Sequence, residues 1–136
     1  MKKSYLMIIL LATGMFLLGC AATKSQVSFF EEEPESEHEA IVYVYRLKSM
    51  EGAIAPWNVR LDDEVVGILY QGAYMPLHVS PGVHTIKITE TSLGRFDLAI
   101  KGNETYYIRC AGSDIVPVTK EKAMTELPSM KLDMGM

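Results

Sequence analysis

The sequence predicts a small, mainly β protein: an antiparallel β-sandwich of about seven strands with one short C-terminal helix. Three observations predict it. From residue 40 onward, short runs of β-branched and aromatic residues recur, separated by the turn residues Asp62-Asp63, Gln71-Gly72, Pro81-Gly82 and Gly102-Asn103. Several of those runs alternate apolar with polar side chains, the period of a strand with one buried face. Helical punctuation appears near the end, where Thr119 can cap residues 120–127 and Pro128 stops them.

Ahead of residue 40 the texture is different. Lys2 and Lys3 open the chain, and residues 6–18 form an apolar run of 13 residues. That length suits the roughly 7–15 residues of a signal sequence and falls short of the roughly 20 a spanning helix needs. The run ends in Leu17-Leu18-Gly19-Cys20, which resembles the lipobox of bacterial lipoprotein precursors. The chemistry suits the residues: a thiol is the nucleophile, small Gly19 admits a peptidase, and Leu17 fills an apolar subsite. The resemblance implies a signal peptide over residues 1–19 and cleavage between Gly19 and Cys20. It also implies a covalent diacylglyceryl and N-acyl lipid on Cys20, with no other cofactor. At roughly 0.8 kcal/mol per buried methylene, two or three acyl chains hold a protein on a membrane where one would not. Ala21 stands where an Asp would favour inner-membrane retention. This resembles an outer-membrane address, with the protein facing the periplasm.

Residues 20–39 read as a lipid-anchored, disordered acidic tether. Glu31, Glu32, Glu33, Glu35, Glu37 and Glu39 repel one another and extend the segment as a spacer, and Phe29-Phe30 is its apolar spot, placed to dip into headgroups. The whole chain has 13 basic and 17 acidic residues, and removing Lys2 and Lys3 with the signal leaves 11 against 17. That acidic balance argues against nucleic acid as a partner. With Cys20 lipidated, Cys110 has no partner for an internal disulfide and is expected to be buried.

The domain is expected over residues 40–127, with 128–136 as a tail. Residues 40–47 are apolar on both faces, Ile41, Tyr43 and Tyr45 against Val42 and Val44, which predicts a central strand. Residues 57–61 and 64–70 follow around Asp62-Asp63, where a tight hairpin would prefer Asp-Gly. Residues 73–79 and 83–89 are expected to pair as a hairpin about Pro81-Gly82. Met75, Leu77, Val79, Ile86 and Ile88 would then face the core, and Tyr74, Pro76, His78, Thr85 and Lys87 solvent. Residues 95–101 and 105–111 are expected to pair across a three-residue loop, with Tyr106, Ile108 and Cys110 inward and Cys110 near Phe96. Residues 115–118 form an edge strand because Pro117 cannot donate to a ladder. Met130, Leu132, Met134 and Met136 alternate in a tail expected to fray rather than add a strand.

The matching runs Ile41-Val-Tyr-Val-Tyr-Arg46, Val59-Arg-Leu-Asp-Asp63 with Val66-Gly67, Gly72-Ala-Tyr74 and Ser80-Pro-Gly-Val-His-Thr-Ile86 resemble a family of bacterial lipoprotein domains, the domain of unknown function 2846 family. The central runs are also similar to PEGA-type domains, small β-sandwiches treated as interaction modules. Asp63 departs from the Gly of the usual Asp-Gly turn. The motif residues belong to turns and strands, so the resemblance implies a fold and carries over no catalytic or binding residue.

The chemistry of the residues points away from catalysis. His78 and His84 fall on opposite faces of the expected hairpin and cannot share a metal ion; the family resemblance implies that His84 caps the core rim beside Pro81-Gly82. Ser80 and Ser92 lack a nucleophile elbow, and Cys110 is mid-strand and apolar. No enzyme is expected. The leading expectation is a non-catalytic module that binds another envelope component, a protein. The alternatives are a glycan- or peptidoglycan-binding platform made by Trp57, Tyr70, Tyr74 and Tyr107, or an envelope enzyme inhibitor of the immunity type.

Overall fold

A computed structural model describes residues 29–48, 55–88, 94–112 and 114–133. The signal, Cys20 and the first part of the tether lie outside them. The described residues form nine strands in two sheets, with one short helix. The strands are β1 (Ala40–Arg46), β2 (Trp57–Leu61), β3 (Glu64–Leu69), β4 (Ala73–Val79), β5 (Gly82–Ile88), β6 (Arg95–Ile100), β7 (Thr105–Ala111), β8 (Asp114–Val118) and β9 (Lys131–Leu132). Helix α1 spans Lys120–Glu126.

One sheet has five strands in the order β8-β7-β1-β4-β9, the other four in the order β3-β2-β5-β6. The inward side chains of both make one core: Val42, Val44, Met75, Leu77, Val79, Ile108 and Cys110 from the larger sheet, Val59, Leu69, Ile86, Ile88 and Ile100 from the smaller. β1 is central, as its two apolar faces require. Its second face, Ile41, Tyr43 and Tyr45, packs with Tyr74 and Tyr107 under Ala123, Leu127 and Met130 of the C-terminal segment.

Two expected hairpins do not form. β4 pairs with β1 and β9, whereas β5 pairs with β2 and β6, so Ser80-Pro81 carries the chain from one sheet to the other. β6 and β7 part in the same way about Gly102-Asn103. The inward faces were nonetheless assigned correctly, including Tyr106, Ile108 and Cys110. A strand facing another across a core and a strand beside it in a ladder show the same alternation, so period two specifies the buried face and leaves the neighbour open. Tyr74 is the exception: expected in solvent, it is 5% exposed because the outer face of the larger sheet is itself covered.

The Asp62-Asp63 hairpin forms with both residues at positive φ, 51° and 67°, as a tight two-residue turn demands. Two pairings are parallel, β1 with β7 and β4 with β9, where an antiparallel sandwich was expected. Residues 131–132 thus add a strand where fraying was expected; Met134 and Met136 lie outside the described residues. Thr119 accepts the Lys122 N–H and caps α1, and Pro128 sits in a 3-10 turn, Leu127–Ser129, that follows it.

Candidate functional site

Residues 29–39 are a strap laid across the outer face of the larger sheet, not a free spacer. The Phe29 ring stands edge-on to Tyr43 and Tyr74, with centroids 5.3 and 5.1 Å away, and Tyr43 stacks on Tyr107 at 5.9 Å. The strap then meets the phenol groups. The Glu32 N–H donates to the Tyr43 hydroxyl at 2.7 Å, and the Tyr107 hydroxyl donates to Glu31. Glu31 also pairs with Lys120 at 2.7 Å, and His78 lies between Glu32 at 3.2 Å and Glu39 at 3.0 Å. Burial works to raise the Glu31 carboxyl, but the bonds from Lys120 and Tyr107 outweigh it and hold the group below the ordinary carboxylate value. The third phenol, Tyr45, donates to Glu126 at 2.7 Å, which also takes Arg109 at 3.0 Å and Lys122 at 3.2 Å. The hydroxyls of buried Tyr43, Tyr45 and Tyr107 therefore each have a partner.

Beside the strap an open cleft of about 430 Å³ lies at one flank of the sandwich. Leu98 of β6, Tyr106 and Ile108 of β7, and Pro117 of β8 give it an apolar lining, and Glu31, Thr119 and Lys120 stand at its polar side. The Tyr106 hydroxyl is held in place, accepting from the Lys101 N–H at 2.9 Å and donating to Glu104 at 2.7 Å.

A second polar cluster joins turns rather than strands. His84 Nδ1 lies 2.6 Å from Asp62 Oδ2, and its Nε2 lies 2.8 Å from the Ser80 carbonyl oxygen. Serine, histidine and aspartate thus meet, yet the ring faces the serine's backbone and not its hydroxyl, so no nucleophile is activated. The cluster clamps the β2–β3 turn to the crossing between sheets, at the core rim where His84 was expected. His78 and His84 lie in different sheets. Cys110 is fully buried, and burial pushes its thiol up to about 12, so the thiolate that nucleophilic chemistry needs is disfavoured.

The four aromatics expected to form a glycan platform do not share a surface. Tyr74 and Tyr107 are 5% and 4% exposed beneath the strap and its neighbours. Trp57 is half-buried at the other layer, and the Arg46 guanidinium covers its ring 3.6 Å from the centroid. Tyr70 alone is well exposed. Gly19 and Cys20 lie outside the described residues. Sequence reasoning missed the strap and the cleft. One signal for the strap was present in Gly102, where a Cβ would collide with the Glu37 carbonyl.

Neither a curated protein nor a solved structure matches the chain. A family of proteins of unknown function, DUF2846, matches residues 36–123, which span β1 through most of α1. With the greater part of its length matched, the chain belongs to the DUF2846 family.

Proposed function

We propose that this protein is a lipid-anchored component of the bacterial cell envelope whose non-catalytic sandwich domain binds another envelope component, a protein. The observation that carries the reading is Leu17-Leu18-Gly19-Cys20 at the end of a 13-residue apolar run behind Lys2-Lys3. Two or three acyl chains on Cys20 would anchor the mature chain stably, and Ala21 favours the outer membrane, facing the periplasm. The docked strap shortens the tether. Nine residues, Cys20 through residue 28, separate the lipid from Phe29, which bounds the span at roughly 30 Å. The domain would work close to its own bilayer.

A binding role draws support from the buried thiol, the His84 ring engaged by a carbonyl, and open sheet edges. The similarity of the central runs to PEGA-type interaction modules points the same way. The burial of Tyr74 and Tyr107 weighs against the glycan platform. Replacing Cys20 by Ala tests the anchor: the precursor should keep residues 1–19 and incorporate no labelled fatty acid. Normal cleavage and labelling of Cys20→Ala would sink the reading.

A further inference from the structure

We propose that the free edge of β6, together with the cleft beneath β8, is the docking site for an extended segment of a partner protein, which adds as a fifth strand to the four-stranded sheet. The proposal rests on the protein-binding reading above and specifies the surface and the chemistry of the partner.

The two layers are unequal, five strands against four. Leu98 of β6 lines the cleft together with Tyr106 and Ile108 of β7, while β8 lies one place further out in the larger sheet. Among the described residues the smaller sheet ends at β6 and sets no strand against β8. The vacant place is the cleft, bounded by Leu98 on one side and by Ile108 and Pro117 above. It is a wedge. Where β6 begins the layers almost touch, since a Cβ on Gly94 would stand 2.9 Å from Ile115 Cδ1, and the cleft lies further along, between Leu98 and Pro117.

Of the four sheet edges among the described residues, three carry features that discourage strand addition. β8 contains Pro117, β9 has two residues, and the β2–β3 pairing slips between Val59 and Arg60, a bulge that twists β3 away. β6 has none of these. It holds six regular pairs with β5, from Lys87↔Arg95 to Gly82↔Ile100, and among the described residues no strand pairs with its other side. Its outward-pointing amides and carbonyls are thus available for a ladder, beside an apolar cleft that would take alternate side chains of the incoming strand.

The same geometry selects the occupant. β8 already fills the layer over the fifth position, so an incoming strand cannot bring a covering layer of its own. A second copy of this chain, pairing β6 with β6, would drive its own β7 and β8 into that space. In an antiparallel self-pair centred on Leu98 it would also set Arg95 against Lys101, like charges that repel. A segment without attached layers fits: extended, apolar at alternate positions, and acidic near its ends to meet Arg95 and Lys101, both exposed.

The test is a photo-crosslinking amino acid placed singly at Ala99, Lys101, Val66 or Glu33 of the full lipidated chain in living cells, with the adduct mapped by mass spectrometry. Expected are adducts from Ala99 and Lys101 to one protein, mapping to a segment with alternating apolar residues. A synthetic peptide of that segment should then slow amide exchange over residues 95–100 at least tenfold and leave β3 unchanged. Leu98→Glu should weaken the peptide at least tenfold, and the surface change Lys101→Glu, which leaves the core untouched, should weaken it severalfold. Adducts from Val66 or Glu33 alone would overturn the β6 site and leave the binding reading standing. Adducts only to a second copy or to glycan would overturn the proposal, and no adduct from any position would overturn both.

Discussion

His84 is held by two acceptors, the Asp62 carboxylate and the Ser80 carbonyl, and this decides its proton. A neutral imidazole has one N–H and can satisfy one of them, whereas the imidazolium donates to both. The Asp62 bond raises His84 above the ordinary histidine value, outweighing the opposing effect of burial. His84, and then the Thr85 N–H, hold Asp62 below the ordinary carboxylate value. The signs follow by linkage. The raised histidine contributes stability that is complete below about pH 6.5 and is lost as pH rises through its folded value. The lowered carboxylate contributes above about pH 4 and loses its share as pH falls through its own folded value. The clamp is therefore strongest between about pH 4 and 6.5. Urea midpoints of the parent and His84→Gln should differ most near pH 6 and converge toward pH 9; a gap that is flat or widens with pH would refute the doubly bonded ring.

Among the elements, the β2–β3 turn and the strap make opposite kinds of prediction. Asp62 and Asp63 both have positive φ, a conformation in which glycine is unstrained. Asp63 meets the Arg60 guanidinium through its backbone carbonyl, which glycine keeps, so Asp63→Gly should be neutral or stabilising by up to about 1 kcal/mol. Asp62→Gly gains the same backbone relief but loses the bonds to His84 and to the Thr85 N–H, and its urea midpoint should fall. A stabilised Asp62→Gly would show the clamp to be worthless. In the strap, Phe29 packs edge-on against two tyrosines, whereas Phe30 is 79% exposed. Phe29→Ala should cost about 1–3 kcal/mol in equilibrium unfolding, and Phe30→Ala less than about 0.5. Equal effects would mean that the strap does not dock. The strand limits and the α1 cap were legible in the sequence because they rest on local alternation and punctuation. The strap was not, because six glutamates read as a solvated spacer until Lys120, His78 and the phenols are seen to meet Glu31, Glu32 and Glu39.

At the scale of the whole molecule, Cys110 reports on closure of the sandwich. It lies in the core that both sheets build, and burial holds its thiol protonated. A bulky thiol reagent should label Cys110 in the native protein at least a hundredfold more slowly than in urea, with a rate that follows global unfolding. Rapid native labelling would mean that β7 is turned or that the core opens locally. The sequence by itself determined the class of the fold, the limits of most strands, which side chains face the core and the central place of β1, because side-chain alternation and turn chemistry are encoded by near neighbours. Only the tertiary structure decided which strands are neighbours. It carried the chain between sheets at Pro81 and after Ile100, laid β7 parallel to β1, and left five strands facing four. Each choice depends on how two sheets share one core and how a second apolar face of β1 is covered, and contacts between residues far apart in the chain leave no periodic mark in it.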